Sequence, residues 1–282
     1  MQDLIRYSLI VPLIAMAALF WTAGTVKAGE DVAHEESLEE ALPFTAGERL
    51  TYQIRWGFIR AGYAVLEVHP MMEIDGEEAF HFSLSVRTTS FVDRFYKVRD
   101  RIDGFARADL QGSLLYLLKK EEGKNLRDVR VVFDPEAGEA RYANFGEEQD
   151  PVEIPPATLD PLSVVFVIRA HPLESGSEIV LPISDGRRAA MGVGQVREQR
   201  RIRVPAGTYE SILFEPDMRD VGGVFDKSGD SPMQIWFSND ERRLPVRISS
   251  RVAVGSFHAD LISVEQIAAG ELAELSAAGV VE

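Results

Sequence analysis

The chain has 282 residues, a formal net charge of −15 and no Cys. The acidic balance argues against a nucleic-acid partner and against general adhesion to anionic lipid headgroups. The lack of Cys excludes a disulfide framework, Cys-ligated zinc, thioether-attached haem and a Cys nucleophile.

Arg6 precedes an uncharged stretch, residues 7–26, and Val26-Lys27-Ala28 sets small residues where a signal peptidase reads. This predicts a cleaved signal peptide over residues 1–28, cut after Ala28, and a protein that is periplasmic or secreted. The alternative is an uncleaved anchor, because the stretch approaches the ~20 residues that span a bilayer. Pro12, Thr22 and Gly24 weaken it as a span, and no Cys near the cut could carry a lipid. No later apolar run is long enough to cross a membrane as a helix.

Residues 29–43 carry Glu30, Asp31, Glu35, Glu36, Glu39 and Glu40 and read as a flexible acidic leader. From Leu50 the pattern changes to period two. Leu50, Tyr52, Ile54 and Trp56 alternate with Thr51, Gln53 and Arg55, which predicts a strand with one buried face. Residues 57–62 turn the chain and residues 63–69 resume as a strand. Asp75-Gly76 marks a hairpin into residues 80–86, where Phe80, Phe82, Leu84 and Val86 alternate with polar residues. Further strands are expected over residues 97–106, 114–119, 126–133 and 141–144, then 178–183, 190–204, 209–215, 233–237, 244–254 and 257–264. Short loops can join only antiparallel neighbours. The expected fold is therefore all-β: a single domain over residues 44–264, a large antiparallel meander curled into an open or closed barrel-like sheet.

One segment interrupts it. Residues 150–161 are Pro-rich, and Leu162, Val165, Phe166 and Arg169 then follow at helical spacing. Asp160-Pro161 supplies a cap and first turn, and His171-Pro172 a stop. This predicts one short apolar helix near residues 161–170, either plugging an end of the sheet or joining two halves. The tail, residues 265–282, is expected to be a frayed helix or disordered.

Several pieces together resemble a bacterial exported family known as domain of unknown function 3108. They are Ala46-Gly47-Glu48-Arg49-Leu50-Thr51-Tyr52 leading to Trp56, Arg60-Ala61-Gly62, Asp160-Pro161-Leu162-Ser163 with Arg169, Val204-Pro205-Ala206-Gly207-Thr208-Tyr209, and residues 235–240 leading to Leu244-Pro245-Val246. The resemblance runs over residues 44–262. It implies export and a β-rich single domain, and nothing catalytic. Physically the pieces read as turns, hairpin tips and close approaches, with Gly62 at one such approach.

Candidate chemistry is sparse. His34, His69, His81, His171 and His258 match no metal-ligand spacing, so neither a metal nor a cofactor is expected. Asp100 and Asp103, three apart in a strand, point to opposite faces. Asp217, Asp220, Asp226 and Asp230 share a Gly-rich loop that fits no EF-hand, and no G-x-S-x-G elbow or phosphate loop is present. Against the overall charge, Arg187, Arg188, Arg197, Arg200, Arg201 and Arg203 cluster. Arg197, Arg201 and Arg203 share a strand face by parity if no bulge intervenes. They could contact a phosphorylated glycolipid, an acidic polysaccharide or an acidic protein. The plainer reading pairs them across the ladder with Glu and Asp.

Three function classes follow. The first is a non-enzymatic periplasmic or envelope protein binding or carrying a lipid or other amphiphile in a curved sheet. The second is a structural or assembly component acting through protein contacts. The third, a hydrolase, is disfavoured by the missing motifs. A deep apolar pocket would favour the first and a filled core the second.

Overall fold

A computed structural model describes residues 42–217, 233–251 and 256–268. The expected signal peptide, the leader up to residue 41 with His34, the loop acids Asp220, Asp226 and Asp230, and the tail beyond residue 268 lie outside the described residues.

Alternation sets the strands. β1 (Glu48–Trp56) buries Leu50, Tyr52 and Ile54 and turns Thr51, Gln53 and Arg55 outward. β2 (Ile59–Ile74) and β3 (Glu77–Thr88) meet at Asp75 and Gly76, whose φ values of 50° and 90° suit the mirror-image turn of a two-residue hairpin. A single helical turn, α1 (Ser90–Asp93), leads into β4 (Arg99–Arg107). β5 (Ser113–Glu122), β6 (Asn125–Asp134) and β7 (Glu139–Asn144) continue the meander. The two-residue strands β8 (Glu147–Glu148) and β9 (Val152–Glu153) are too short for any periodicity to reveal.

After the interruption come β10 (Glu178–Ser184), β11 (Ala189–Val204), β12 (Gly207–Pro216), β13 (Gln234–Ser238), β14 (Pro245–Arg251) and β15 (Ser256–Gln266). β15 runs past the expected boundary at residue 264. Ile267 is buried and donates its N–H to Gly47 at 2.9 Å.

All the strands form one antiparallel sheet in the order β10 to β15, then β1 to β8, with β9 on β7. The sheet curls without closing. Residues 158–160 fill the seam: Thr158 accepts from Ser113 N at 2.9 Å, Leu159 N donates to Pro182 at 2.9 Å, and Ser184 N donates to Leu159 at 3.0 Å. The seam is thus held by a crossing segment instead of a strand ladder.

Inside lies α2 (Ser163–Ala170), the expected helix. Every residue from Ser163 to Arg169 is buried, as suits a helix that is apolar nearly all round. Phe166 stacks on Phe82 of β3 at 3.8 Å between centroids and meets Phe44 edge-on at 5.3 Å. The helix fills the inside of the sheet, and in the chain it lies between β9 and β10, where the two runs of the meander meet.

Gly104 of β4 lets the helix approach. A Cβ there would lie 2.7 Å from Asp160 Oδ1 and 2.9 Å from Ser163 Oγ. Gly104→Ala should therefore destabilise the fold by about 1–3 kcal/mol, the usual range for overpacking. Urea unfolding would read this, and an unchanged midpoint would show that the helix start can yield.

Candidate functional site

The two ends of α2 hold the polar groups of the interior. At its start Asp160 is fully buried. Its Oδ1 accepts from Leu162 N at 2.8 Å and Ser163 N at 2.9 Å, and its Oδ2 accepts from Ser113 Oγ at 2.6 Å and Ser163 Oγ at 2.5 Å. Burial raises its pKa, and these four hydrogen bonds oppose the rise. The carboxylate does the work of a helix cap while pinning the helix to β5.

At the other end Arg169 is fully buried and paired with Glu48 of β1, Nη1 to Oε1 at 2.7 Å. Its Nη2 also donates to the carbonyls of Pro43 and Arg242, each at 3.0 Å, and its Nε has no hydrogen-bond partner. The guanidinium lies 5.4 Å from the Phe44 centroid and 5.5 Å from that of Phe166. Arg243 reaches back to donate to the Arg169 carbonyl at 3.0 Å. Nearby, Tyr52 donates to the Pro245 carbonyl at 2.8 Å, and burial raises its pKa. An open recess of about 640 Å³ lies over this pair, with Leu42, Glu48 and Arg242 in its wall.

The quoted sequence pieces thus converge. Glu48, Arg169 and the 239–245 loop meet at one end of the helix, and Asp160 and Ser163 act at the other. Of these groups Glu48 borders the recess, while Asp160, Ser163 and Arg169 are wholly buried. Their chemistry is anchoring.

Between α2 and β10–β13 lies a pocket of about 40 Å³, lined by Val164, Ile168, Leu181, Phe214, Met233 and Phe237 among other apolar residues. That is smaller than the cavity of about 150 Å³ that admits one benzene ring.

The outer face carries a second polar chain. His69 Nε2 and Ser83 Oγ are 2.7 Å apart, the His69 and His81 rings stack at 4.3 Å, and His81 Nε2 meets Asp103 Oδ1 at 2.9 Å. Burial, with the neighbouring His81, lowers the His69 pKa to about 4. Ser83 is wholly buried, so a serine–histidine nucleophile has no access to substrate here. Among the described residues no three His, Asp or Glu converge to hold a metal ion.

Asp100 and Asp103 take opposite faces, as their spacing requires. Asp100 points inward and is buried, and Asp103 points outward to His81 and Arg101.

The arginine strip meets a bulge. From Val196↔Phe214 to Gln199↔Ile212, β11 spends three residues against two on β12, so the parity linking Arg197 to Arg201 and Arg203 is broken. Arg197 pairs with Glu215 at 3.1 Å and Arg201 with Glu210 at 2.6 Å. Arg203 makes no ion pair among the described residues. Arg200 reaches Glu198 at 2.5 Å and lies over Trp236. The Arg197 and Arg201 pairs run across the ladder to β12, and the Arg200 pair lies within β11. Changing Arg197, Arg201 and Arg203 together to Ser should lower stability by no more than about 1 kcal/mol, because exposed pairs contribute little. A larger loss in chemical denaturation would reveal a coupled network.

Sequence reasoning placed Asp160, Ser163 and Arg169 correctly along the chain but not their partners. Glu48 lies 121 positions from Arg169 and Ser113 lies 47 from Asp160. Only the fold brings them together.

Among solved structures, a β-barrel-like protein of domain of unknown function DUF1849 from Brucella abortus shares the fold. Its TM-score is 0.51 at 12% identity, over 78% of this chain and 98% of that one. A proposed exported protein with a YmcC-like fold from Bacteroides fragilis aligns with a TM-score of 0.33 at 9% identity, over 79% of this chain and 98% of that one. A DUF1089 family protein from Pseudomonas aeruginosa aligns at 0.32 and 13% identity, over 71% and 93%. No curated protein matches the chain in sequence. No helix among the described residues is long and apolar enough to cross a membrane. The family model for proteins of unknown function designated DUF3108 matches residues 51–262, and the chain belongs to that family.

Proposed function

We propose that the protein is a non-enzymatic component of the bacterial cell envelope that acts through its outer surface, as a structural or assembly element. One observation carries this reading. The inside of the sheet is occupied by α2, which is bolted at both ends by Asp160 and by the Arg169–Glu48 pair. A carrier needs an empty interior, and a rigid surface-acting protein needs a filled one.

The test is photocrosslinking in cells from surface positions, followed by identification of the adducts. Discrete envelope partners support the proposal, and adducts no richer than those of an unrelated exported protein argue against it. The amphiphile reading is kept by the wholly apolar slot beside α2. It requires the slot to widen, and a stoichiometric lipid in organic extracts of the purified protein would favour it. Arg197, Arg201 and Arg203 remain candidate contacts of second rank, since two of the three are already paired.

A further inference from the structure

The hairpin joining β1 to β2 and the segment joining β3 to β4 lie side by side at one end of the sheet. Thr89 N donates to the Ala61 carbonyl at 3.0 Å, and Thr89 Oγ1 to the Arg60 carbonyl at 3.3 Å. Three phenylalanines project from these tips: Phe58 at 89% exposure, Phe91 at 57% and Phe95 at 66%. Phe91 and Phe95 touch each other edge-on at 5.8 Å. Val92 between them is buried and fixes the turn.

The charges around these tips invert the balance of the chain. Residues 55–60 and 87–99 hold Arg55, Arg60, Arg87, Arg94, Lys97 and Arg99 against a single acid, Asp93, within a chain of net charge −15. Asp93 is taken by Arg99 at 2.6 Å. The other five cations make no ion pair among the described residues. Arg55 stands directly opposite Arg60, and Arg87 directly opposite Arg99. Like charges set opposite each other across a ladder are unfavourable, and here the fold carries two such pairs in one small area. Asp93 already offsets the second through Arg99, and an anionic partner relieves the first.

We infer that this end of the sheet docks on an anionic phospholipid bilayer, the three phenylalanines entering the interface and the five unpaired cations meeting phosphate headgroups. The inference rests on the surface-acting reading above. Aromatic side chains beside Lys and Arg suit the interfacial layer of a membrane. The three side chains are spread over two adjacent tips, which suits a deformable medium better than a single protein socket. Acidic groups elsewhere on the chain are repelled by the same surface, which favours contact through these two tips.

The absence of Cys allows a local probe. Ser90→Cys, exposed beside Phe91, carries an environment-sensitive fluorophore in the full chain. Glu136→Cys, on the turn between β6 and β7 at the opposite end, is the control. Vesicles of phosphatidylglycerol should shift the Ser90 probe to the blue, with little change at Glu136 and little with phosphatidylcholine. Phe58, Phe91 and Phe95 changed together to Ala should weaken the response at least tenfold. Arg60, Arg87, Arg94 and Lys97 changed to Gln should abolish the preference for phosphatidylglycerol, as should about 0.5 M NaCl. Residues 1–28 are present in every variant, so their own affinity for lipid cancels. All seven positions are exposed, and an unchanged thermal melt confirms the fold.

An equal response to both vesicle types, an equal response at Glu136, or indifference to the Phe and cation changes overturns the inference. If the vesicle response fails while the Ser90 position crosslinks to a protein, the partner is a protein; the bilayer assignment falls and the surface-acting reading stands.

Discussion

Truncating Arg169 to Ala is expected to cost about 3–5 kcal/mol, the loss typical of stranding one member of a buried ion pair. Three groups lose their donor at once: the Glu48 carboxylate and the carbonyls of Pro43 and Arg242. Arg242 is the nearest replacement, but it lies 3.5 Å from Glu48 and is half exposed. Its attraction is screened by water and compensates only in part. The double change of Glu48→Leu and Arg169→Met removes both charges and should recover much of the loss, since apolar groups of similar size can replace a buried pair at little cost. Denaturant titration of the parent, both single variants and the double variant closes the cycle. A single-variant loss below about 1 kcal/mol would mean that water or Arg242 already satisfies Glu48. A double variant no better than the singles would mean that the cation's contacts with Phe44, Phe166 and the two carbonyls matter more than its charge partner.

The second large effect is one of pH. Asp100 is buried, and its pKa is raised to about 7, first by burial and then by the nearby Glu122, against a hydrogen bond from Glu121 N at 2.8 Å. Its Oδ2 has no hydrogen-bond partner. The folded chain therefore keeps a proton that the unfolded chain releases above about pH 4. Stability from this group is full below about pH 4 and is lost as the pH rises towards 7, where the loss levels off. Three pKa units correspond to about 4 kcal/mol at most. His69 acts in the opposite sense. With its pKa lowered to about 4, its contribution is lost as the pH falls below about 6.5. Comparison with Asp100→Asn isolates the carboxyl. The variant should gain on the parent progressively from pH 5 to pH 8, by up to a few kcal/mol. Parallel stability curves over that range would place Asp100 in contact with water or a cation.

Most strands, the helix and the hairpins were legible because each depends on a local pattern or turn. Leu50, Tyr52 and Ile54 declare a face, Asp75-Gly76 a turn, and Asp160-Pro161 a helix start. What could not be read depends on closure. Parity put Arg197 with Arg201 and Arg203, and one extra residue in β11 undid it. Whether the sheet enclosed a void or a plug hinged on where Phe166 points, and that is fixed by Phe44 and Phe82, 122 and 84 positions earlier by number. The exposed aromatics at Phe58, Phe91 and Phe95 look in sequence like ordinary core residues beside Trp56, Val92 and Tyr96. Only their position on adjacent tips distinguishes them.

The order of the sheet also has a temporal side. β1 lies between β2 and β15, with Glu48 opposite Gln266, so the first strand made waits for the last. Until residues 256–266 arrive, β1 and β14 each present a row of unpaired backbone groups, the kind of edge that invites wrong partners. Ladder pairs of such long sequence separation close slowly. A chain threaded end-first through a narrow translocation pore would emerge with that seam open, and would complete its sheet only when the final strand was released.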